Sequence, residues 1–109
     1  MVGNQAKKKL EELNIEINFN QIKKFCRNFH ISSLKLFGSI LTEFIKDSSD
    51  IDILIKFEPG FTPGFFKFIE IQRKLSELFD NRKVDLRTEN DLSRYFRQEV
   101  IDEAVEIFG

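Results

Sequence analysis

"LFGSILTEFIKDSSDIDILIKF", Leu36–Phe57, places a Gly-Ser pair ten residues ahead of two aspartates that stand one residue apart, Asp50 and Asp52. Its second half alternates. A strand over Asp50 to Phe57 puts Ile51, Ile53, Ile55 and Phe57 on one face and both acids on the other. The apolar face predicts a buried sheet. The acidic face needs a partner, because carboxylates roughly 6–7 Å apart along a strand repel and raise each other's proton affinity. A hard divalent cation removes that cost, and Mg²⁺ takes carboxylate and phosphate oxygens together.

Upstream, "SSLKLF", Ser32–Phe37, alternates and stops at Gly38, predicting a strand that runs into a tight loop. Glycine there lets the backbone approach a phosphate, and the Ser39 hydroxyl and neighbouring amides suit an anion. "ILTEFI" predicts a short helix with Ile40, Leu41, Phe44 and Ile45 on one side, and "KDSS" a turn. Ile22, Phe25, Cys26 and Phe29 recur at helical spacing after a cap at Asn20. Gln5 to Leu13 has a thin apolar face, predicting a weak helix or a partner-dependent extension over residues 1–17.

Downstream, "EPGFTPG" is a loop, and Phe65 to Phe79 is a helix carrying Phe65, Phe68, Ile69, Leu75, Leu78 and Phe79 toward a core. "KVDLRT" is a third strand, with Asp85 facing away from Val84 and Leu86. From Asn90 onward a last helix carries Val100, Ile101, Ala104, Val105 and Phe108. Helices between strands predict an α/β (α+β) fold, a small mixed β-sheet with helices packed on one face. If the third strand lies beside the second, Asp85 joins Asp50 and Asp52. Carboxylates for metal and amides for phosphate point to phosphoryl or nucleotidyl transfer, with two metal ions aligning the reacting groups.

The 109 residues suit one domain, 1–109. Seventeen basic against eighteen acidic residues leave no global basic field, which argues against direct binding of long nucleic acid. The lone Cys26 cannot form an internal disulfide, and neither a signal peptide nor a membrane span is evident, so the expected compartment is cytoplasmic. Several features have plainer readings. Asp50 and Asp52 could be an exposed strand face, and Lys83 and Arg87 could simply neutralise Asp85. Cys26 and His30 lack a second pair of soft ligands. "KKK" at Lys7 to Lys9 reads as a solvated face, and "GFFKFIEI" as core with some Phe left over for a partner surface. "DLSRYFRQE", with Arg94, Tyr95 and Arg97, fits a helix start or a polar edge of the site equally.

The stretch "GSILTEFIKDSSDIDILI" together with "VDLRTENDLSRYFRQEVIDEA" resembles the minimal nucleotidyltransferases (MNT) of the DNA polymerase beta-like nucleotidyltransferase superfamily, over about Leu34 to Phe108. The resemblance implies the nucleotidyltransferase fold. It also implies that Gly38 and Ser39 hold the nucleotide triphosphate, that Asp50, Asp52 and Asp85 bind Mg²⁺, and that Asp85 activates the acceptor hydroxyl. It further implies an antitoxin that transfers AMP from ATP to a tyrosine of a HEPN ribonuclease toxin, in a hetero-oligomer. Thr42 departs from the pattern, standing where many relatives have Arg, and Glu43 stands where they often have Gly or Asp. Lys46, Lys35 or Lys56 would have to compensate for the lost cation. That departure favours the alternative of a catalytically weak antitoxin acting by contact. A further alternative is an enzyme acting on a small molecule or an RNA end.

Overall fold

The alternation in Ile51–Phe57 produces the strand on which the rest is assembled. In a computed structural model describing residues 4–42, 45 and 49–109, the order is α1 (Asn4–Glu12), α2 (Phe19–Asn28), β1 (Ile31–Phe37) and a 3₁₀ turn at Gly38–Leu41. There follow β2 (Ile51–Phe57), α3 (Phe65–Leu78), β3 (Val84–Arg87), a second 3₁₀ turn at Glu89–Asp91, α4 (Arg97–Glu103) and β4 (Val105–Phe108). The strands form one mixed sheet in the order β3-β2-β1-β4, with β2 parallel to β3 and the other pairs antiparallel. The expected adjacency of the second and third strands is thus present.

Ile51, Ile53, Ile55 and Phe57 enter one buried cluster with Leu34 and Leu36 of β1, Ile22 and Phe25 of α2, and Ile71 and Leu75 of α3. Each such aliphatic or aromatic side chain contributes about 1.5–3 kcal/mol by leaving water. α1 joins the same core through Ala6 and Leu10, so its thin apolar face is sufficient to dock it. α2 begins one turn's shoulder earlier than expected. Asn18, in extended conformation, accepts from the Asn20 and Gln21 amides at 3.0 and 3.2 Å and is the cap, in place of Asn20.

Three further expectations are corrected. Val105–Phe108 forms a strand and not the end of a helix, because four apolar-rich residues satisfy either period and the free edge of β1 supplies backbone partners at Leu36↔Val105 and Lys35↔Glu106. Phe65 and Ile69 are exposed, not core. The stripe of α3 that meets the sheet is Phe68, Ile71, Leu75 and Phe79, and Ile69 lies two residues, about 200°, around the helix from Ile71. Phe65 and Phe66 precede the first of these contacts. The expected helix over "ILTEFI" closes as a 3₁₀ turn at Leu41, with Thr42 extended. Glu43, Phe44, Lys46 and most of the "KDSS" turn lie outside the described residues.

β3 is a four-residue edge strand. Its outer side is closed by α3, where the Leu86 amide donates to the Gln72 side-chain carbonyl at 2.9 Å. Among the described residues, no helix is long and apolar enough to cross a membrane.

Candidate active site

β1 ends where Phe37 pairs with Asp52, and the next residue, Gly38, turns left-handed at φ +76°. Two constraints select glycine there. Other L-residues pay for that φ, and a Cβ at this position would overlap Asp52 Oδ2 and stand 3.1 Å from its Cγ. The absence of a side chain at Gly38 is what lets the Asp52 carboxylate lie against the loop. The Ser39 backbone N–H faces that carboxylate and lowers its proton affinity. One of the loop amides foreseen for a phosphate is therefore turned to Asp52 here. Thr42 closes the turn, its hydroxyl donating to the Ser39 carbonyl at 2.8 Å.

Asp52 and Asp85 are register partners in the parallel β2–β3 pair. Alternation then sends both carboxylates to the face opposite Ile51, Ile53, Val84 and Leu86. Burial, first, and then the nearby Asp85 push the proton affinity of Asp52 above that of an ordinary aspartate; Asp50 adds to this, while the Ser39 amide and Arg87 oppose it. Asp50, just ahead of β2, lies 3.9 Å from Lys83 Nζ, and Asp85 lies 3.3 Å from Arg87 Nη2. A hydrogen bond and the charge of Asp85 in turn hold the Arg87 guanidinium above its usual range. The two cations flanking Asp85 in sequence are thus divided: Arg87 serves Asp85, and Lys83 serves Asp50. Among the described residues no three acidic, imidazole or thiol side chains form a ready-made metal cage. The arrangement is a register pair of carboxylates with a third acid nearby.

The remaining candidates sit apart from it. Cys26 is fully buried in the core, where burial pushes its thiol up to about 12. His30 stacks on Phe61 with ring centroids 3.9 Å apart and contacts Glu58 at 3.2 Å. Lys35 and Lys56 line a separate hollow with Glu89 and Glu106, and Lys46 lies outside the described residues. Arg94 and Tyr95 precede α4, and Arg97 opens it while donating to the Leu92 carbonyl at 3.1 Å, so that segment is a helix start. The residue that sequence reasoning set aside is Lys8, which shares a cleft with Gly38. The run "KKK" carried no signal of where each side chain would point.

Residues 20–109 match the family described as Polymerase beta, Nucleotidyltransferase. The chain belongs to that family. Protein adenylyltransferase MntA of Thermococcus cleftensis is 34% identical to this nucleotidyltransferase over 83 residues, 76% of this chain and 81% of that protein. Among solved structures, a toxin–antitoxin crystallised with AMP-PNP gives a TM-score of 0.64 at 27% identity, covering 85% of this chain and 74% of the other. A complex of tri-AMPylated Shewanella oneidensis HEPN toxin with MNT antitoxin gives 0.57 at 26%, covering 84% and 69%. The matched span of the nucleotidyltransferase family begins after α1.

Proposed function

We propose that this nucleotidyltransferase uses ATP and Mg²⁺ to place AMP on a tyrosine of a HEPN ribonuclease toxin, and so acts as its antitoxin within a cytoplasmic hetero-oligomer. The observation that carries the reading is the Asp52–Asp85 register pair, with Asp52 set against the Gly38-Ser39 loop. The similarity to MntA and to the AMPylated toxin complex supports the choice of AMP and of a protein acceptor.

The donor set fits Mg²⁺. Asp52 and Asp85 offer hard carboxylate oxygens side by side, and a divalent cation would relieve both the burial and the like charge that raise the proton affinity of Asp52. When bound by these two residues with Asp50, the cation supplies charge neutralisation on the reacting phosphate. The chain's own groups do the rest. Gly38 leaves room for the Asp52 carboxylate to lie against the loop, and Ser39 beside it offers its hydroxyl to a phosphate oxygen. Asp85 receives the proton of the acceptor phenol as that oxygen bonds to the α-phosphorus. The bond from the α-phosphorus to the bridging oxygen breaks, and pyrophosphate leaves.

Co-expression with the HEPN partner and intact-mass analysis of that partner test the reading. The partner should gain the mass of one or more AMP groups with the wild-type chain and none with Asp52→Asn. Growth rescue by the wild type without added mass would instead identify an antitoxin that acts by covering the ribonuclease.

A further inference from the structure

Gly38 and Thr42 line a cleft of about 860 Å³ whose walls also include Lys8, Lys9 and Glu12 of α1 and Glu103 at the end of α4. A triphosphate entering beside Asp50, Asp52 and Asp85 meets three carboxylates. The two flanking cations, Lys83 and Arg87, already pair with acids. In the cleft, Lys9 lies 4.0 Å from Glu12, which partly satisfies both. Lys8 is exposed and forms no ion pair among the described residues. Its neighbour Lys7 points elsewhere, into a separate hollow lined by Glu11 and Glu16. The 100° step of the helix thus divides the basic run between two sides of α1.

We infer that Lys8 is a polyphosphate-binding residue of this site, reaching across the cleft to the β- and γ-phosphates of the nucleotide held at Gly38. The inference rests on the adenylyl-transfer reading above. Three features favour Lys8 for the task. α1 is pinned by Ala6 and Leu10 in the core, so the helix is a fixed platform and not a loose tail. The ammonium sits on a flexible four-carbon stem that can follow a phosphate as a point charge. Glu103 lies in the same cleft as a like charge to the phosphates, which predicts an opposite response when it is neutralised. Lys8 lies ahead of the matched family span, which starts at residue 20.

The test is calorimetric titration of Mg²⁺-ATP and of AMP into the full chain and three variants. Lys8→Ala keeps a strong helix former at an exposed position, so the fold is retained. It should weaken Mg²⁺-ATP by about tenfold while leaving AMP, which lacks the outer phosphates, little changed. Lys7→Ala makes the same charge change on the same helix and should leave both affinities as they are. Glu103→Gln should tighten Mg²⁺-ATP. Equal Mg²⁺-ATP affinity in wild type and Lys8→Ala, or equal weakening by Lys7→Ala, overturns the role of Lys8 and leaves the nucleotidyltransferase reading standing. Failure of the wild type to bind Mg²⁺-ATP at all overturns that reading, and the role of Lys8 with it.

Discussion

The two faces of β2 are separated by a single residue step and are governed by opposite requirements. Ile51, Ile53 and Ile55 are at most 1% exposed and gain by leaving water. Asp52, between the first two, is only partly buried, yet that burial is the largest cause of its raised proton affinity. One face therefore stabilises the fold, and the other, where Leu54 is also buried, carries at Asp52 a charge that the fold holds at a cost. The pleat lets a seven-residue strand serve both without compromise.

Exchanging side chains on each face should separate activity from stability. Asp52→Asn has the largest expected effect, a fall in adenylyl transfer of about 10³-fold or more, equivalent to roughly 4 kcal/mol of transition-state stabilisation. Its melting temperature should match or exceed that of the wild type, since an uncomfortable charge is removed. A fall in melting temperature would break the comparison. Ile53→Ala should do the converse, costing about 2–5 kcal/mol of stability in denaturant titration while the folded fraction keeps its turnover. Gly38→Ala acts at the junction of the two requirements. The left-handed backbone alone costs about 1–2 kcal/mol, and the added methyl displaces the Asp52 carboxylate, so stability and transfer should fall together.

The smallest effect is in pH. The folded state raises the pKa of Asp52 above its ordinary 3.8, so this group's contribution to stability is full below that value and is lost as pH rises through the raised one. The stability advantage of Asp52→Asn over wild type should be present at neutral pH and close as pH falls below about 4. A gap that widens on acidification would mean that the carboxylate is stabilised in the fold.

Much of the fold was legible because its signals are local. Alternation in Ile51–Phe57, the halt of β1 at Gly38 and the stripe of Ile22, Phe25 and Cys26 each depend on residues within one or two turns. Val105–Phe108 was misjudged because its partner, β1, lies some seventy residues away and no short window contains it. Phe65 and Ile69 were misjudged for a related reason. Hydrophobicity marks a residue as able to be buried, and only the placement of the sheet decides that Ile71, not Ile69, faces it. In the candidate site, the spacing of Gly38, Ser39, Asp50 and Asp52 was visible in the sequence. The register of Asp85 against Asp52, the division of Lys83 and Arg87 between two acids, and the position of Lys8 are products of strand pairing and helix docking.

The edge position of β3 has a consequence for how the protein should fail on heating. Four residues, paired on one side and closed on the other by a side-chain amide from Gln72, can open locally for less free energy than it takes to unfold the central strands. Such fraying carries Asp85 away from Asp52 while β1, β2 and the helices packed beneath them remain intact. Heat inactivation then becomes a sub-global event that precedes loss of structure. Amide hydrogen exchange would register it as faster exchange at Asp85 and Leu86 than at Ile53, and the gap between the temperatures of inactivation and melting would measure how firmly β3 is held.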